Sequence, residues 1–92
     1  MMDIIPVIQK NINLTVPWYL MAAYAYYVRD ENIITDSTFD NLAIHMANNW
    51  DIIEHRHKYM ITLEDLAAGT LLRRDFPGPV IGAAETLIKQ QS

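Results

Sequence analysis

Cysteine is absent from this chain, which excludes disulfides and cysteine-ligated zinc and is compatible with a reducing, cytoplasmic setting. Positive charge is scarce: seven Lys and Arg against eleven Asp and Glu leave a formal charge of −4. Non-specific nucleic-acid binding draws on a clustered basic surface, so nucleic acid is not an expected direct partner. Long apolar runs are lacking as well. The most apolar one, Val16 to Val28, covers thirteen residues and includes five polar-tipped aromatics, Trp18 among them. A bilayer span needs about 20 residues, so no membrane association is expected. Met1-Met2-Asp3 lacks the basic start of a signal peptide, and no targeting segment is expected. No fixed-period repeat or low-complexity stretch interrupts the sequence.

What is present is apolar and periodic. About half of the 92 residues are hydrophobic, enough for one packed core and too many for a disordered chain. Residues 1–92 therefore read as one helical domain. A short helix begins near Ile5, with Pro6 tolerated in its first turn. A second runs from Pro17 to Glu31 and is apolar almost all round: Trp18, Met21, Ala22, Ala25 and Val28 make one stripe, and Leu20, Tyr24 and Tyr27 another. It is expected to pack centrally. A third, from Ser37 to about Glu54, repeats Phe39, Leu42, Ala43, Met46, Trp50 and Ile53 at helical spacing. Thr62 caps a short fourth helix, for which Gly69 or Gly78 offers a stop. Pro79 suits the first turn of a fifth, and its tail from Lys89 to Ser92 is expected to fray. The fold class is all-α, a small bundle of about five helices built on a helical hairpin at about residues 17–54.

The turn of that hairpin is the part of the chain that speaks of chemistry. Asn32 is placed to take the left-handed conformation that follows a helix, and Asp36 to cap the next one. The hairpin brings Tyr26 and Tyr27, at the end of one helix, close to Asp36, Phe39 and Asp40 at the start of the next. Those last three share roughly one face. An aromatic and acidic corner suits a flat cationic ring bearing hydroxyls: aromatic faces attract cations, and carboxylates accept hydrogen bonds. Carboxylates at the positive end of a helix suit binding rather than proton transfer. Tyr19 and Tyr24 read as core fillers with hydroxyls at the surface.

Tyr26-Tyr27, Asp30, Ile34, Asp36, Phe39-Asp40 and Leu42 together resemble the N-terminal Ia domain of NAD-dependent DNA ligases. The consensus there is roughly Y-(H/Y)-x-x-D-x-P-x-I-(S/P)-D-x-E-Y-D-x-L, and Tyr26 to Leu42 aligns with it without a gap. The match covers about a fifth of the chain. Asn32 stands where the family has proline, and Phe39 where it has tyrosine. The resemblance implies a small helical piece that recognises the nicotinamide mononucleotide (NMN) half of NAD, with Tyr26, Tyr27, Asp36, Phe39 and Asp40 as the recognising residues. It does not imply a ligase, because none of Lys10, Lys58 and Lys89 begins the K-x-D-G motif that adenylyl transfer requires. A free-standing protein with this hairpin looks like one encoded by a tailed bacteriophage or prophage, at work in the bacterial host cytoplasm.

Two further groups of residues could carry chemistry. Asp51, Glu54, His55 and His57 are metal-ligand types, but no H-E-x-x-H pattern occurs and a zinc site would need another ligand, His45 being one candidate. The ordinary reading is a solvated helix end with Glu54 and Lys58 paired at i, i+4. Arg73 and Arg74 could meet a phosphate if a nucleotide is bound. Two expectations follow. The first is a non-catalytic module, requiring no cofactor, whose ligand is NMN or NAD. The second is a phage or host protein-interaction or regulatory module that keeps the hairpin as scaffold, self-association included.

Overall fold

The hydrophobic periodicities translate into a mainly helical chain, with no strand among the described residues. The computed structural model describes residues 4–68 and 76–91. Five α-helices follow one another: α1 Ile5–Lys10, α2 Thr15–Arg29, α3 Asp36–Asn48, α4 Leu63–Ala68 and α5 Gly78–Gln91. Single 3-10 turns at Ile12–Leu14 and Lys58–Met60 bend the connections. The all-α bundle read from the sequence is the observed fold class.

Helix α2 is the centre. Its buried residues run unbroken from Tyr19 to Ala25, covering every side of the helix rather than one stripe, and α5 and α3 both pack against it. Small side chains at Ala22, Ala23 and Ala25 leave room for that approach. Leu42, Ala43 and Met46 of α3 bury against the same core, as do Val80, Ala84 and Ile88 of α5. One polar tie crosses the α2–α5 contact. The Tyr24 hydroxyl donates to Glu85 Oε1 at 2.6 Å, and Arg29 pairs with the same carboxylate.

Several boundaries differ from the sequence reading, each for a local reason. Helix α2 ends at Arg29, and Asp30, not Asn32, takes the left-handed conformation with φ 53°. Aspartate tolerates that region, and the Asp30 and Glu31 N–H groups both reach back to the Ala25 carbonyl, Glu31 at 2.8 Å, closing the helix end. Helix α3 stops at Asn48, about six residues short of the expected Glu54. There the Asn49 N–H is shared between the His45 and Met46 carbonyls at 3.2 and 3.3 Å, and the Asn49 side chain also donates to the His45 carbonyl at 2.9 Å, closing the last turn. Gly78 opens α5 rather than stopping α4, and α5 stays helical to Gln91 instead of fraying from Lys89. Thr62 does cap α4: its Oγ1 accepts from Asp65 N–H at 3.1 Å while Asp65 Oδ2 accepts from Thr62 N–H at 2.9 Å, a reciprocal capping box. Gly69 as a stop lies outside the described residues.

Candidate functional site

The α2–α3 connection is tight because its middle is pulled inward. Ile33 and Ile34 are buried, so the turn is anchored in the core rather than lying on the surface throughout. Thr35 then stays extended and caps α3, its Oγ1 accepting from Thr38 N–H at 3.1 Å and donating to Thr38 Oγ1 at 2.9 Å. This corrects the expected cap at Asp36. Asp36 is the first helical residue, and threonine takes the capping role because its β-conformation backbone places a short hydroxyl over the first turn. The Asp36 side chain thereby makes no hydrogen bond among the described residues.

Around this turn lies a pocket of about 170 Å³. Tyr26 and Tyr27 of α2 line it, and so do Asp36, Phe39 and Asp40 of α3. The five residues singled out from the sequence thus share one concavity. The two tyrosine rings meet edge to face, centroids 4.9 Å apart at 81°. Phe39 is half-buried and lies nearly parallel to Tyr19, centroids 4.6 Å apart at 16°. Tyr19 is wholly buried, hydroxyl included, which corrects its expected surface hydroxyl. Burial pushes that hydroxyl well above the ordinary tyrosine range, with the charges of Asp65 and Asp40 adding to the effect. A rigid buried ring therefore backs the Phe39 wall of the pocket.

Charge in the pocket has one sign. Asp36 and Asp40 are exposed, and neither makes a hydrogen bond or ion pair among the described residues. Among the described residues no Lys, Arg or His lines the hollow. Ala22, Asn32, Ile33 and Ile34 complete it. The sequence reading did not include these as site residues. A signal existed for Ala22, four residues before Tyr26 on one helix face, and for Ile34, which belongs to the motif.

The other candidate groups come apart or fall outside the structure. Because α3 ends at Asn48, Asp51 and His55 do not share a helix face, and Glu54 and Lys58 do not pair. Lys58 Nζ instead donates to the Trp50 carbonyl at 2.6 Å and sits 4.7 Å from the Trp50 ring centre. Glu54 N–H donates to Asn13 Oδ1 at 2.8 Å. His55 Nδ1 accepts from His57 N–H at 3.1 Å, and the His57 Nε2 is buried without a partner. Among the described residues no group of three or more acidic and histidine side chains is placed to hold a metal ion. No helix among them is long and apolar enough to cross a membrane. Arg73 and Arg74 lie outside the described residues.

Comparison of the chain with protein-family models, with curated proteins and with solved structures finds no match.

Proposed function

We propose that the chain is a small non-catalytic module that binds the nicotinamide end of NMN or NAD in the pocket between α2 and α3. One observation carries the reading. Tyr26, Tyr27, Asp36, Phe39 and Asp40, which align with the ligase Ia motif, line a single pocket. Its size supports a ring rather than a whole dinucleotide: about 170 Å³ is close to the roughly 150 Å³ cavity that holds benzene and below the roughly 300 Å³ at which drug-sized sites begin. The rest of the nucleotide would project outward, towards solvent or towards a phage or host enzyme that uses it. Tyrosine faces attract the positive ring and the two carboxylates accept from amide or ribose groups. Calorimetric titration with NMN and NAD, with AMP and Asp40→Ala as controls, tests it. Saturable NMN binding, absent with AMP and lost in the mutant, is the expected result; no heat at millimolar NMN refutes it.

A second reading, a protein-interaction or regulatory module, is favoured by a different surface. Ile52 and Leu63 are 65% and 51% exposed and line a shallow hollow with Trp50, and Ile44 on α3 is 57% exposed. Exposed apolar side chains of this size mark contact surfaces. Under this reading Ile52→Asp with Leu63→Asp disrupts a partner complex or a homo-oligomer, seen by pull-down or light scattering, and Asp40→Ala does not.

A further inference from the structure

Between the end of α3 and the start of α4 the fold leaves large apolar side chains uncovered. Ile52 and Leu63 are exposed, and with Trp50 and Ala47 they line a hollow of about 320 Å³. That is about twice the roughly 150 Å³ cavity that holds benzene, so two bulky side chains fit in it side by side. Exposed Ile44 extends the apolar track back along α3, one turn before Asn48 at the edge of the hollow. We propose that this track docks a basic amphipathic helix of a partner protein, its apolar side chains entering the hollow and its Lys or Arg side chains meeting the carboxylates around it. The inference rests on the protein-interaction reading above and goes beyond it in naming the shape and charge of the partner.

Charge selects the partner. Asp51 lines the hollow, Glu54 lies two residues after Ile52, and Glu64 follows Leu63 in the first turn of α4. All three are exposed, and none of their side chains makes a hydrogen bond or ion pair among the described residues. Of the basic residues in the same connection, Arg56 is exposed, whereas Lys58 is turned onto the Trp50 carbonyl and ring. A second copy of this chain is the poorer occupant. The whole sequence carries −4, and a self-complementary contact brings Asp51 and Glu64 of one copy towards the same residues of the other. Like charges brought together oppose that contact, while a basic helix turns the same carboxylates into attractive ones.

The fold also selects a helix over other segments. No strand among the described residues offers an edge to which a partner strand could add. A proline-rich segment docks on open aromatic surfaces, and here Lys58 Nζ covers one face of Trp50 at 4.7 Å. A helix satisfies its own backbone and presents apolar side chains at i, i+3, i+4 and i+7, for which an apolar track is sufficient.

The test is an NMR titration of the full chain with two designed peptides of about 14 residues, roughly four helical turns. Both carry leucine at the i, i+3, i+4 and i+7 positions; the remaining positions are lysine in one and glutamate in the other. The lysine peptide is expected to bind, to gain helix by circular dichroism and to shift the Trp50 and Ile52 signals. Its affinity should fall about tenfold or more in Ile52→Ser with Leu63→Ser, and severalfold in Asp51→Asn with Glu64→Gln, the second loss shrinking with added salt. Both double variants change exposed side chains and are checked for retained helix. Equal binding of the glutamate peptide, shifts that spare Trp50 and Ile52, or no binding of the lysine peptide at millimolar concentration overturns the inference and leaves the protein-interaction reading standing. So does a dimer, seen by light scattering, that Ile52→Ser with Leu63→Ser dissolves, since the surface then joins two copies of this chain. Absence of any partner complex or homo-oligomer sensitive to Ile52 and Leu63 overturns both.

Discussion

Replacing Thr35 by alanine and Asp36 by asparagine separates the fold from the site, because the structure gives the two neighbours different work. Thr35 Oγ1 accepts from Thr38 N–H at 3.1 Å and is the side chain that caps α3. Losing such a cap costs about 1 kcal/mol, within a range of roughly 0.5–2. For a domain of this length that lowers the thermal midpoint by roughly 4–8 °C. Asp36 is exposed in the first turn, and its side chain has no partner among the described residues. Its charge gains about 0.3–1 kcal/mol from the helix dipole, and repulsion from Asp40 one turn later returns a few tenths of that. The net loss in Asp36→Asn is about 0.5 kcal/mol or less, within roughly 4 °C of the parent midpoint. Thermal and urea unfolding followed by helical circular dichroism reads both. The proposed nicotinamide binding should behave the other way round, surviving Thr35→Ala in the folded protein and weakening in Asp36→Asn. Asparagine caps as well as aspartate, so the cap itself is tested by Asp36→Ala: if that change destabilises the chain as much as Thr35→Ala does, Asp36 rather than Thr35 caps α3.

Other perturbations probe the core and its ties. Leu42 is fully buried where α3 meets the core, so Leu42→Ala should cost about 2–5 kcal/mol by urea unfolding; a loss under 1 kcal/mol would contradict that placement. Glu85 is held below the ordinary carboxylate value of 4.5 by the Tyr24 hydroxyl first and then by Arg29. Its contribution is therefore complete above about pH 4.5 and is lost as the pH falls through the lower folded-state value. Glu85→Gln should flatten the acid limb of the stability–pH curve, and an unaltered limb would count against the α2–α5 tie. His55 is held below 6.5 by burial, then by the charges of His57 and Arg56. The folded state thus prefers it neutral, and its stabilising effect, full above about pH 6.5, fades as the pH falls through its folded value. A proton NMR titration should place its midpoint below 6.5, and a midpoint at or above that value would refute the reading.

Helix existence was legible wherever a periodic apolar pattern ran long. The apolar residues of α2 and the Leu42, Ala43, Met46 series of α3 needed no tertiary knowledge to place in helices. Their ends were less legible, because termination is decided by single side-chain contacts. At the end of α3 the Asn49 side chain reaches the His45 carbonyl, and nothing in composition distinguishes it from an asparagine facing solvent. Asp30 and Asn32 are both able to adopt the left-handed backbone, and burial of Ile33 and Ile34 fixes which of them does. The site was legible as a set of residues around a turn. Its depth was not: Tyr19 behind Phe39 is a contact between α2 and α3 that spacing along either helix does not contain.

The hairpin residues sort by the work the fold requires of them. Ile33, Ile34 and Leu42 fill the core, Thr35 caps, and Phe39 is clamped by Tyr19. A pure scaffold needs all of these. It has no need of Asp36 and Asp40, two carboxylates four residues apart that repel one another and make no hydrogen bond or ion pair among the described residues. Nor does it need Tyr26, whose ring is 52% exposed beside them. Solubility could be served by charges anywhere on the surface, whereas here they edge the pocket that Tyr26 also lines. The binding and scaffold readings therefore part at these three side chains, and a ligand with positive charge and a flat ring is the chemistry that would use all three at once.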